Sequence, residues 1–148
     1  MIYIASDHGG YKLKKRLVRY VKNELKLEIE DMGPNQYDKT DDYPDFAIPL
    51  TKKMVKDEEN RGVLICRNGI GVCILANKVK GVRAGIGYNL SAAQSMRNDD
   101  DTNVLCLAAD HLTDDHAMAI LKKWLETPTS KDSRHLRRRR KVTKLEKK

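Results

Sequence analysis

Five short aliphatic runs, at residues 2–6, 27–31, 62–66, 82–86 and 103–107, alternate along the chain with longer segments whose apolar residues recur at helical spacing. This alternation restricts the fold more than any other feature. Three of the runs are almost unbroken apolar stretches, as strands buried on both faces should be, and parallel strands need long crossovers that helices supply. The segments 11–25, 44–57, 70–78, 90–97 and 114–125 predict those helices. The first is the clearest, with Leu13, Leu17, Val18, Val21 and Leu25 on one stripe. The expected class is α/β: a Rossmann-like three-layer α/β/α sandwich with a five-stranded parallel sheet. Residues 33–42 read as a polar loop. Thr127-Pro128-Thr129-Ser130 interrupts the pattern before the tail, so a terminal helix from about Asp132 is expected as a separate, protruding element.

At 148 residues the chain fits one domain. Residues 1–130 form its α/β body and residues 131–148 its basic C-terminal helix or tail. The net charge of +8 resides entirely in that tail, where ten Lys or Arg stand against two acids, leaving 1–130 balanced. Arginine forks at Arg134 and Arg138, one helical turn apart, suit a phosphate monoester. Four consecutive arginines go beyond what one phosphate needs and equally suit a nucleic-acid backbone, and a solvated helix is the plainer alternative. No apolar run approaches the ~18–20 residues of a membrane span. The start, Met1-Ile2-Tyr3-Ile4-Ala5-Ser6-Asp7, lacks the charge and cleavage site of a leader. Cys66, Cys73 and Cys106 are an odd set without a Cys-x-x-Cys pair. These features predict a soluble cytoplasmic chain with its natural N-terminus.

In a doubly wound sheet, ligands gather at the carboxyl ends of the strands. The first strand ends in Ser6-Asp7-His8-Gly9-Gly10, a carboxylate and an imidazole followed by glycines. Alternatively, Asp7 only caps the next helix and His8 faces solvent. The third strand ends in Cys66-Arg67-Asn68-Gly69-Ile70-Gly71, and strand, glycine-rich turn and helix start make an anion cradle of backbone N–H groups. A dinucleotide fingerprint fails here, because Ile74 stands where the third glycine belongs and no acid closes the next strand. Helix start and Arg67 both favour a thiolate at Cys66, a base or nucleophile. Cys73 and Cys106 fall within apolar periods and read as core. His8, His111, His116 and His135 have no metal-ligand spacing, and Asp99-Asp100-Asp101 lacks the offset ligands of a calcium loop.

Five motifs in order carry a resemblance: Ser6-Asp7-His8-Gly9-Gly10; Asp42-Tyr43-Pro44-Asp45; Cys66-x-x-Gly69-Ile70-Gly71 with Ala76-Asn77-Lys78; the Asp-x-Asn-Val-Leu of 101–105; and Arg134-His135 with Arg138. Across essentially its whole length the chain resembles the type B ribose-5-phosphate isomerase and galactose-6-phosphate isomerase family. The resemblance implies a homodimer, or a tetramer built from it, with two shared active sites. It also implies cofactor-free interconversion of aldose and ketose phosphates. Matched residue by residue, the catalytic cysteine falls on Cys66 and the Asp-His pair on Asp7 and His8. The sugar-binding tyrosine falls on Tyr43, the enediolate-binding loop on Arg67, Asn68, Gly69, Ile70 and Gly71, and the phosphate-binding arginines on Arg134 and Arg138.

Ribose 5-phosphate is the expected substrate, because Cys66 matches the ribose branch and Val72 occupies the place of another branch's glutamate base. Allose 6-phosphate and galactose 6-phosphate are the six-carbon alternatives. A nucleic-acid-binding protein that uses the tail, and a sensor that keeps the isomerase fold, are alternatives from other classes. Three departures from the family pattern stand out. The ring-opening histidine before Asn-Val-Leu is missing, leaving Asp7, His8, or Asp99 and Asp100 from a partner subunit for that step. A phosphate-contacting arginine after the fifth strand is replaced by Asp110, followed by His111. Arg67 and Asn68 stand where small residues are usual. If Arg134 and Arg138 hold the phosphate, Arg139, Arg140, Lys141, Lys144, Lys147 and Lys148 are expected to be dispensable for catalysis.

Overall fold

The sheet is parallel throughout, in the order β2-β1-β3-β5-β4, from β1 (Ile2–Ser6), β2 (Ile29–Asp31), β3 (Arg61–Cys66), β4 (Ala84–Ile86) and β5 (Val104–Ala108). These strands, in a computed structural model that describes residues 1–146, match the five aliphatic runs. Lys147 and Lys148 lie outside the described residues. Two runs begin late. Lys26 takes a left-handed φ of 57° and Gly81 one of 84°, and the backbone N–H of Arg83 donates to the side chain of Asn103 instead of to a strand. Leu27 and Val82 therefore precede the strands, their N–H groups donating back to the carbonyls of Val21 and Val79 at 3.1 and 3.0 Å.

Alternate side chains of the central strands enter two cores. On one face, Ile4, Ile65, Leu105 and Leu107 pack under α1 (Tyr11–Asn23), α4 (Leu90–Asn98) and α5 (Asp114–Glu126). Trp124 is fully buried there, and its indole N–H donates to Thr102 at 2.9 Å. On the other face, Tyr3, Ala5, Leu64, Cys66 and Cys106 pack under α2 (Tyr43–Met54) and α3 (Ile70–Ala76). This is the expected three-layer α/β/α sandwich. Cys106 is core, as expected; Cys73 is only half buried, and a hydrogen bond with Cys106 lowers its thiol pKa to about 7.

The last helix, α6 (Ser133–Leu145), lies outside both layers and buries only His135. Polar bonds hold it at the amino end of the sheet. Arg139 donates to the carbonyls of Asp99 and Ser130 at 3.2 and 2.9 Å, and the Gly81 N–H donates to Glu146 at 3.0 Å. No described helix is long and apolar enough to cross a membrane.

Candidate active site

Connections from β1 run to opposite sides, toward β2 and past it to β3, so the topological switch point, where such sheets have their ligand crevice, lies at the carboxyl ends of β1 and β3. Asp7, on the rim, is buried, and its carboxylate accepts the Gly10 N–H at 3.1 Å, capping a short 3-10 turn. Next to it, the His8 ring nitrogen Nδ1 lies 2.6 Å from Asp41, whose carboxylate also accepts the His8 backbone N–H at 2.9 Å. The hydrogen bond to Asp41, helped by the charge of Asp7 and opposed by burial and Arg67, raises the His8 pKa above its ordinary 6.5. Nε2 of His8 has no hydrogen-bond partner among the described residues.

Across the crevice, Cys66 ends β3 with 7% exposure, and the Gly69 N–H donates to its sulfur at 3.2 Å. Gly69 needs to be glycine twice over. Its φ is +70°, and a Cβ would approach the backbone of Leu107 and Ala108 to 3.1–3.2 Å. Gly71 answers a different demand, since a Cβ there would lie 2.8 Å from the Tyr43 ring, which packs against the start of α3. The first amides of α3 have no intrahelical acceptor, and the helix starts four residues after the thiol.

A third strand end closes the site. The loop after Cys66 is tied to the turn after β5 by the Asp110 N–H on the Arg67 carbonyl at 3.0 Å, by Arg67 with Asp110 at 3.6 Å, and by His111 with Asn68 at 3.1 Å. Residues 67 and 68 and residues 110 and 111, the positions that depart from the family pattern, thus face each other in two pairs. Among the described residues, no group of three His, Cys, Asp or Glu side chains is placed to hold a metal ion.

The sequence model described as Ribose/Galactose Isomerase matches residues 2–142. The chain belongs to that family. It is 41% identical over 147 residues to a probable ribose-5-phosphate isomerase B of Mycoplasma genitalium, covering 99% of this chain and 95% of the relative. It is 33% identical over 125 residues to D-erythrulose-4-phosphate isomerase 2 of Mycolicibacterium smegmatis, covering 84% and 82%. Among solved structures, it superposes on ribose-5-phosphate isomerase B from Mycoplasma genitalium with bound ribulose 5-phosphate at a TM-score of 0.94. The two are 40% identical, covering 99% and 96% of the chains.

Of the residues singled out in the sequence, Asp7, His8, Tyr43 and Cys66 through Gly71 come together at one end of the sheet. Asp99, Asp100, Arg134 and Arg138 do not join them. β5 separates the two sets, since Cys66 pairs with Ala108 at one end and Asp99 precedes Val104 at the other. Five residues at about 3.3 Å each put ~16 Å between those ends. Sequence reading missed Asp41. It is one of four acids between 38 and 45, and no periodicity marks it as the partner of His8.

Proposed function

We propose that this member of the ribose/galactose isomerase family interconverts ribose 5-phosphate and ribulose 5-phosphate through an enediolate. The observation that carries the reading is the Cys66 sulfur, fixed by the Gly69 N–H at 3.2 Å at the head of the loop that opens α3. Cys66, as a thiolate, takes the proton from C2 and returns it to C1. The amides of Ile70 and Gly71 hold the oxyanion that develops on O1, and Asn68 and Arg67 frame the loop. His8 serves as the ring-opening acid: Asp41 keeps the imidazole protonated and leaves Nε2 for the ring oxygen. Asp7 shapes the turn that presents His8, and Tyr43 lines the sugar. The net change is one proton moved between adjacent carbons, so no cofactor takes part.

The phosphate grip comes from a second copy of the chain. Arg134 and Arg138 lie at the far end of their own sheet, and Val142 and Leu145 extend the same outward face of α6 with exposed apolar side chains. Ile70 and Ile74 on α3, with Tyr88 and Leu90 at the start of α4, offer an exposed apolar surface for such a homodimer. The 1–130 body carries the proton transfer, and within the 131–148 tail of the same domain Arg134 and Arg138 carry the phosphate. Three free thiols suit a reducing cytoplasm.

The test is Cys66→Ser, assayed for ketose formation from ribose 5-phosphate and for exchange of the C2 proton with solvent deuterium. Both rates are expected to fall by more than about tenfold, because a serine hydroxyl is a far poorer base at neutral pH, while the far-UV spectrum stays unchanged. Retention of more than about a tenth of the turnover removes Cys66 as the base.

A further inference from the structure

The face of α6 turned away from Arg134 and Arg138 has no part in this chemistry. At 3.6 residues per turn, Leu136, Arg139, Arg140 and Thr143 share a side roughly half a revolution from that pair. They form one wall of a cleft of about 850 Å³ at the amino end of the sheet, opposite the Cys66 end. The other walls are the end of α2 with its following turn, the 80–83 turn, and the approach to β5. Glu146 bonded to Gly81 ties the end of α6 to the 80–83 turn.

Seven cationic side chains line the cleft against four carboxylates. The half-buried Asp101 carboxylate is shared by Arg83 and Arg97, each at 2.9 Å, and also accepts the Thr129 hydroxyl. Arg61 donates to the backbone carbonyls of Glu58 and Asn60 at 2.9 and 2.8 Å, and Asp57 accepts the Glu59 N–H. Among the described residues, Asp57, Glu58 and Glu59 make no ion pair with these guanidiniums, and the lining as a whole keeps an excess of three positive charges. Burial, followed by the charge of Arg61, lowers the Arg97 pKa even with Asp101 beside it, as crowded cations should. Lys80, Arg140 and Lys144 have no hydrogen-bond or ion-pair partner among the described residues, and they line the same space from two walls.

We propose that this cleft is a binding site for a small molecule carrying two or more phosphates, with Lys80, Arg140 and Lys144 as its direct donors. The volume lies within the ~300–1,000 Å³ typical of small-molecule sites. One phosphate, at about −2, leaves an excess of three positive charges uncompensated, whereas a diphosphate matches it. A polynucleotide needs an open track, and this cleft is walled on three sides.

The probe is inorganic pyrophosphate, titrated calorimetrically into the full chain at about 0.1 M salt, where surface attraction beyond ~10 Å is screened. One site per chain is expected. The double variant Arg140→Ala with Lys144→Ala should weaken binding at least about tenfold, and Lys80→Ala, on the opposite wall and outside α6, should weaken it in the same direction. Both should retain the wild-type KM and kcat for ribose 5-phosphate. Arg134→Ala should leave pyrophosphate affinity unchanged. Undiminished affinity in the double variant or in Lys80→Ala overturns the proposal. So does loss of binding in Arg134→Ala, which would put the anion on the sugar-phosphate grip. Tighter binding of a short RNA than of pyrophosphate, weakened by the same substitutions, would overturn it in favour of a nucleic-acid surface.

Discussion

At the crevice rim, His8 and Asp41 form a pair whose protonation bears on stability. The bond to Asp41 places the folded-state pKa of His8 above the 6.5 of the free side chain. A group raised in this way stabilises the fold fully below about 6.5, and the contribution fades as pH rises through the folded-state value. The melting temperature is therefore expected to fall between about pH 6 and pH 8 more steeply in the wild type than in Asp41→Asn. Parallel slopes in a differential scanning series would show that the pair adds nothing. His8 was readable in the sequence because it follows the first strand directly. Asp41 was not, since only folding brings a residue 33 positions away onto its imidazole. The pairs Arg67–Asp110 and Asn68–His111 were hidden for the same reason: four polar residues acquire meaning only when β3 and β5 lie side by side.

Elements were the most legible level, because burial imposes a period on every strand and helix while loops carry none. The edges slipped where one residue broke the pattern, as at Lys26 and Gly81 with their left-handed backbones. One helix held a surprise. Lys14 lies among the basic residues Lys12, Lys15 and Arg16, yet it is fully buried. Its ammonium donates to both oxygens of Asp31 at 2.6 and 2.7 Å and to the Pro34 carbonyl at 2.9 Å, so α1, β2 and the 33–42 loop meet at one charge. Burial lowers its pKa, with Asp31 opposing. That loop also carries Asp41. Lys14→Ala leaves Asp31 without its partner and is expected to cost about 3 kcal/mol, the low end for a broken buried pair, because Asp31 keeps 19% exposure. Urea unfolding measures this directly, and a loss within about 0.5 kcal/mol would mean that solvent replaces the lysine.

For the whole molecule, the α/β/α class, the strand count and the separate terminal helix were all legible, since each follows from hydrophobic patterning. The separation of Arg134 and Arg138 from Cys66 was not. Sequence order placed Arg134 and Arg138 in one list with Cys66, and only the direction of β5 and the bonds from Arg139 to Asp99 and Ser130 set them apart. That ~16 Å separation has a genetic consequence. If the partner supplies the phosphate grip, two inactive chains can repair each other. In a two-fold dimer of Cys66→Ser with Arg138→Ala, one crevice collects both lesions and the other collects neither. Random reassortment of the two mutants should therefore restore about a quarter of wild-type turnover from parents that have almost none, and dilution below the dimer dissociation constant should abolish it. If mixing restores nothing while mixed dimers form, each chain completes its own site.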